Sequence, residues 1–68
     1  MRRKPDHPFI DCAVDDAIEY AVSNEHIHDP AKARKIVQRA ARRVGGHYGM
    51  RLNEVRWIVR TVIHRLGV

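Results

Sequence analysis

The chain has one cysteine, Cys12, so it cannot close a disulfide within itself. That excludes the small secreted scaffolds held together by disulfides and points to a reducing, cytoplasmic setting. No apolar run approaches the ~18 residues a membrane span needs. The basic start Met-Arg-Arg-Lys-Pro is followed by no apolar stretch of the signal-peptide kind. Internal repeats and low-complexity segments are also lacking. A chain of 68 residues makes a single domain, 1–68, and gives little wall for a typical ligand pocket of ~300–1,000 Å³. Small domains borrow stability from disulfides, metals or self-association, and the first of these is closed here.

Three helical segments can be read, and no strand pattern is convincing. Phe9, Ile10, Ala13, Val14, Ala17, Ile18 and Ala21 recur at helical spacing, which predicts a first helix over about 8–24, capped by Asp6 or His7 with Pro8 in its first turn. The polar segment 23–28 reads as a loop. Asp29-Pro30 is a restart signal, and the second helix is expected over 30–44, ending at Gly45-Gly46. Its stripe of Ala33, Ile36, Val37, Ala40, Ala41 and Val44 is half alanine, which lets a neighbour come close. The third helix is expected over 51–66, with Leu52, Val55, Ile58, Val59, Val62, Ile63 and Leu66 as a broad stripe ending before Gly67. The expected fold is therefore all-α, a compact three-helix domain with short loops. Its core should hold Ile10, Val14, Ile18, Ile36, Val37, Val44, Leu52, Val55, Val59, Val62 and Leu66. Ile58 and Ile63 widen the third stripe and offer a contact for a homodimer.

Charge is missing selectively. The stretch 9–25 holds Asp11, Asp15, Asp16, Glu19 and Glu25 with no Lys or Arg. The second helix and its entry hold Lys32, Arg34, Lys35, Arg39, Arg42 and Arg43 with no acid. The third carries Arg51, Arg56, Arg60 and Arg65 against Glu54 alone. The net charge of +5 is thus what remains of a much larger separation. Arginine predominates among these cations, and its planar fork suits phosphates and guanine edges. A charge run can equally be a solvated face, neutralised within the fold. Trp57 lies away from the centre of the apolar stripe, among Asn53, Arg60, Thr61 and His64. There it could anchor a partner, stack on a base, or pack beneath a loop as an ordinary core aromatic.

Four motifs bear on function. Helix, glycine turn, helix is the order of a helix-turn-helix, and Ala41-x-x-x-Gly45 resembles its small residue and turn glycine. The link Gly45–Met50 is, however, longer than the usual 3–4-residue turn. His7, Cys12, His26, His28, Asp29, His47 and His64 are metal-ligand types in no standard zinc spacing, so no metal and no cofactor is expected. Cys12 lies among acids that disfavour a thiolate nucleophile, and Asp15 and Asp16 point about 100° apart, so no catalytic constellation forms and no enzyme is expected. The second helix is basic and amphipathic, but its alanine face offers little energy for insertion at a membrane surface.

The reading that results is a small basic non-enzymatic regulator that binds nucleic acid through Lys35, Arg39, Arg42, Arg43, Arg51, Asn53, Arg56, Trp57 and Arg60. The alternative is a protein-interaction module, an inhibitor or adaptor of the size of a phage or mobile-element effector. It would bind a protein partner through Trp57 and its arginines, or through Asp15, Asp16 and Glu19 on the acidic face of the first helix.

Overall fold

The computed structural model describes residues 3–68; Met1 and Arg2, part of the basic N-terminal stretch, lie outside the described residues. Three helices follow in order: α1 (Ile10–Val22), α2 (Ala33–His47) and α3 (Leu52–Leu66), each packed against the other two, with no strand among the described residues. The molecule is compact, as the short loops imply, and only 16 Å in its shortest dimension. A helix with side chains is ~10–12 Å across, so every helix keeps a long face in solvent.

Each boundary has a local cause. His7 accepts twice ahead of α1: its Nδ1 from the Phe9 N–H at 3.1 Å and its carbonyl from the Ile10 N–H at 3.2 Å. Regular helix therefore starts at Ile10, and Pro8 sits in the preceding turn. In the loop that follows, Asn24 Oδ1 accepts from the His26 N–H and Asp29 Oδ1 from the Ala31 N–H, both at 2.9 Å. Such turns are the common use of Asn and Asp side chains. The Asp29 carbonyl takes the N–H groups of both Lys32 and Ala33. Asp29-Pro30 thus opens a turn, and α2 begins at Ala33 rather than at Pro30.

The expected stop at Gly45-Gly46 is corrected: α2 runs through both glycines to His47. Gly45 is there for space. A Cβ on it would lie 2.5 Å from Val55 Cγ2 of α3, so its bare Cα is what lets the two helices meet. The left-handed conformation that favours glycine occurs at Gly49 (φ 64°), in a link of only Tyr48–Arg51. At the start of α3, Glu54 accepts from the Arg51 N–H at 2.7 Å, half of a capping box. Gly67 (φ 69°) closes its C-terminus and donates to the Ile63 carbonyl at 3.0 Å.

The buried core comprises Ile10, Val14, Ile27, Val37, Val44, Ile58 and Val62 with six alanines from α1 and α2. Ile18, Ile36, Val55, Val59 and Leu66 pack against it half-buried. Leu52 is a correction: 63% of it is exposed. The inward line of α3 runs through Ile58 and Val62, and Leu52 lies about 100° around the helix from that line. Ile27 reaches the core from a loop that is otherwise polar.

Candidate nucleic-acid interface

The outer face of α2 follows from its buried one. Ala33, Val37, Ala40, Ala41, Val44 and Gly45 point inward. At about 100° per residue, Lys35, Arg39 and Arg42 then fall on the opposite side in a line, and all three are exposed. Beside that line, Gln38 and Arg42 of α2 and Leu52, Val55, Arg56, Val59 and Arg60 of α3 line a shallow groove. Its rims are cationic, its floor is apolar and it holds no acid. Of the residues expected at the site, the structure brings Arg42, Arg56 and Arg60 to this groove, while Lys35 and Arg39 are exposed on the outer line of α2 that Arg42 shares. Asn53 is exposed on the adjoining face of α3, and Arg51 is exposed at its N-cap.

Several of the acids are engaged elsewhere. Asp11 pairs with Lys4 at 2.8 Å, and Asp15 lies 3.8 Å from Arg65. Asp16 accepts from the Tyr48 hydroxyl at 2.6 Å. Glu54 caps α3, and Glu25 lies 3.4 Å from His26. Among the described residues no ion pair reaches Lys35, Arg39, Arg42, Arg56 or Arg60. The acidic helix therefore does not neutralise the basic groove.

Two expected members sit apart. The Arg43 guanidinium lies 5.1 Å over the Tyr20 ring, on the α1 side of α2, where a second open cleft gathers Asp16, Glu19, Ser23 and His47. Trp57 is half-buried, packs against the core, and shares a separate shallow depression with Arg60, Thr61 and His64. The Thr61 hydroxyl donates to the Trp57 carbonyl at 2.9 Å. Gln38, Leu52, Val55 and Val59 are the groove residues that the sequence did not mark for the site; the last three were expected in the core. The rotation of α3 places its three members there, and the only signal for Gln38 was its position on α2 between the alanine stripe and Arg42.

The acidic face of α1 is part of a polar and aromatic contact with the C-terminal end of α2. Phe9 stacks on Tyr48 with ring centres 5.6 Å apart, and His47 meets Tyr48 edge-on at 5.1 Å. The hydrogen bond to Asp16 comes first in raising the Tyr48 pKa to about 12, with burial and the Asp16 charge adding to it. No group of three or more His, Cys, Asp or Glu side chains among the described residues is placed to hold a metal ion. Among the described residues no helix is long and apolar enough to cross a membrane.

Comparison with known families, with curated proteins and with solved structures finds no match for this chain.

Proposed function

We propose that this protein is a small, non-enzymatic regulator that binds nucleic acid through the face shared by α2 and α3. The observation that carries the reading is the groove itself. Arg42, Arg56 and Arg60 converge on it with Lys35 and Arg39 alongside, and no acid among the described residues pairs with any of them. Unpaired arginines held together on a rigid surface repel one another, and a polyanion relieves that repulsion while releasing its own counterions. The acidic-face alternative of Asp15, Asp16 and Glu19 draws less support, because Asp16 is hydrogen-bonded to Tyr48 and Asp15 lies 3.8 Å from Arg65, which leaves Glu19 as its one free acid among the described residues. A protein partner with acids around an apolar anchor is favoured by one observation, the exposed Leu52 at the groove.

The test is an anisotropy titration of a labelled mixed-sequence duplex at two salt concentrations. Binding should weaken steeply with salt, by about 0.9 log units of affinity per log unit of salt for each phosphate neutralised. Arg39→Gln and Arg42→Gln should each lower that slope by about 1. No binding at low salt would overturn the nucleic-acid reading and leave the protein partner.

A further inference from the structure

We infer that α3 is the element that reads bases: its N-terminal half enters the major groove of duplex DNA, with Leu52, Asn53, Arg56 and Arg60 toward the base edges. Lys35, Arg39 and Arg42 of α2 hold phosphates of the same duplex. This rests on the nucleic-acid reading above and commits it to one kind of nucleic acid and one mode of recognition.

Four observations lead there. First, α3 is the least embedded helix. It fully buries only Ile58 and Val62, whereas α1 buries five residues and α2 six. Second, Leu52, Asn53, Arg56 and Arg60 are all exposed, and at about 100° per residue Asn53, Arg56 and Arg60 fall on the side opposite Ile58 and Val62, with Leu52 at the edge of the same arc. Glu54, the only acid of α3, lies off this arc, and its carboxylate is turned back to the Arg51 N–H. Third, the arc has the chemistry of base edges as well as of phosphate. Arginine donates in two places to guanine, asparagine pairs with adenine in the same way, and an apolar side chain meets the thymine methyl. Phosphate accepts from the Asn53 amide as it does from the cations, but it gives no role to a leucine 63% exposed among arginines.

Fourth, α3 is held firmly relative to α2. The link is Tyr48–Arg51, four residues, because α2 continues through its glycines. That is the length of a helix-turn-helix turn. The Met50 N–H donates to the Gly45 carbonyl at 2.8 Å, and Gly45 faces Val55 with no room for a Cβ. Phosphate contacts from α2 would then set the register at which α3 meets the bases. A helix ~10–12 Å across fits the ~12 Å major groove of B-form DNA. The major groove of A-form RNA is too narrow to admit it, so the duplex is DNA.

The experiment is selection of bound duplexes from a pool with a randomised centre, followed by affinity measurements on the enriched duplex, a mixed-sequence duplex, duplex RNA and single-stranded DNA. The enriched duplex should bind at least about fivefold more tightly than mixed sequence, the lower end of what one good base contact discriminates. Asn53→Ala and Arg56→Ala should each relax preference at one position. Lys35→Ala should weaken all duplexes alike and flatten the salt dependence. All three positions are exposed, so circular dichroism should show the helices retained. Duplex DNA binding without sequence preference would overturn base reading and leave the phosphate-binding face standing. Tighter binding to RNA or to single strands would overturn it as well. No binding to any of the four would remove the nucleic-acid reading itself.

Discussion

At Tyr48 and Asp16, one hydrogen bond joins the end of α2 to the acidic face of α1. The Tyr48 hydroxyl donates to the carboxylate at 2.6 Å, and losing that proton would set two anions against each other. The folded protein therefore holds the proton more tightly than the unfolded chain, with the pKa raised from 10.0 to about 12. The stabilisation is complete below about pH 10 and is lost as pH rises toward about 12. Phenolate absorbance should show a tyrosine step near pH 12 that moves down in Asp16→Asn. The melting temperature should fall more steeply between pH 10 and 12 in the native sequence than in Tyr48→Phe. Nothing in the sequence announced this pair, because Tyr48 and Asp16 are 32 residues apart and neither lies in a recognisable motif.

At the scale of the element, two adjacent glycines in α2 have opposite meanings. Gly45 lies against Val55, and a methyl group there forces a stiff β-branched side chain or the helix itself to move. Gly46 has nothing within 4 Å of the place its Cβ would take. Gly45→Ala should therefore cost about 1–3 kcal/mol, the range for overpacking. Gly46→Ala should gain about 0.5–1 kcal/mol, as alanine does over glycine inside a helix. Denaturant titration of both variants checks the contrast, and equal effects would contradict the contact with Val55. Read in sequence, the pair resembles a helix stop, since glycine is the usual residue just past a helix end. Local pattern cannot tell a glycine chosen for its φ from one chosen for its missing side chain. The three helices themselves were legible, because apolar spacing is a local property, and the α3 boundaries came within a residue.

Across the whole molecule, the rotation of α3 decides which residues hold the fold and which are free to bind. Ile58 is fully buried where all three helices meet, and Leu52 stands in solvent. Ile58→Ala should cost ~2–5 kcal/mol. A domain of this size has only ~3–10 kcal/mol in total, so that loss should remove a large share of its stability. Leu52→Ala should stay within about 0.5 kcal/mol of the native stability. Chemical denaturation followed by helical circular dichroism compares the two. Both belong to the same broad stripe in sequence, which is wider than the seam a 16 Å slab can bury. The choice between them needs the positions of α1 and α2.

The sequence by itself determined that the chain is helical, that it has three helices, and that acid and base are segregated along it. Spacing and residue type are read within a few turns of one helix, and tertiary contacts do not change them. Only the tertiary structure decided whether the two charges cancel. The acids of α1 meet Lys4, Tyr48 and Arg65, while Arg42 of α2 faces Arg56 and Arg60 of α3 across an acid-free groove. Electrostatic pairing depends on distance in space, and distance between helices is set by packing: by Gly45 against Val55, by the four-residue link, and by the angle at which α3 lays Ile58 and Val62 into the core.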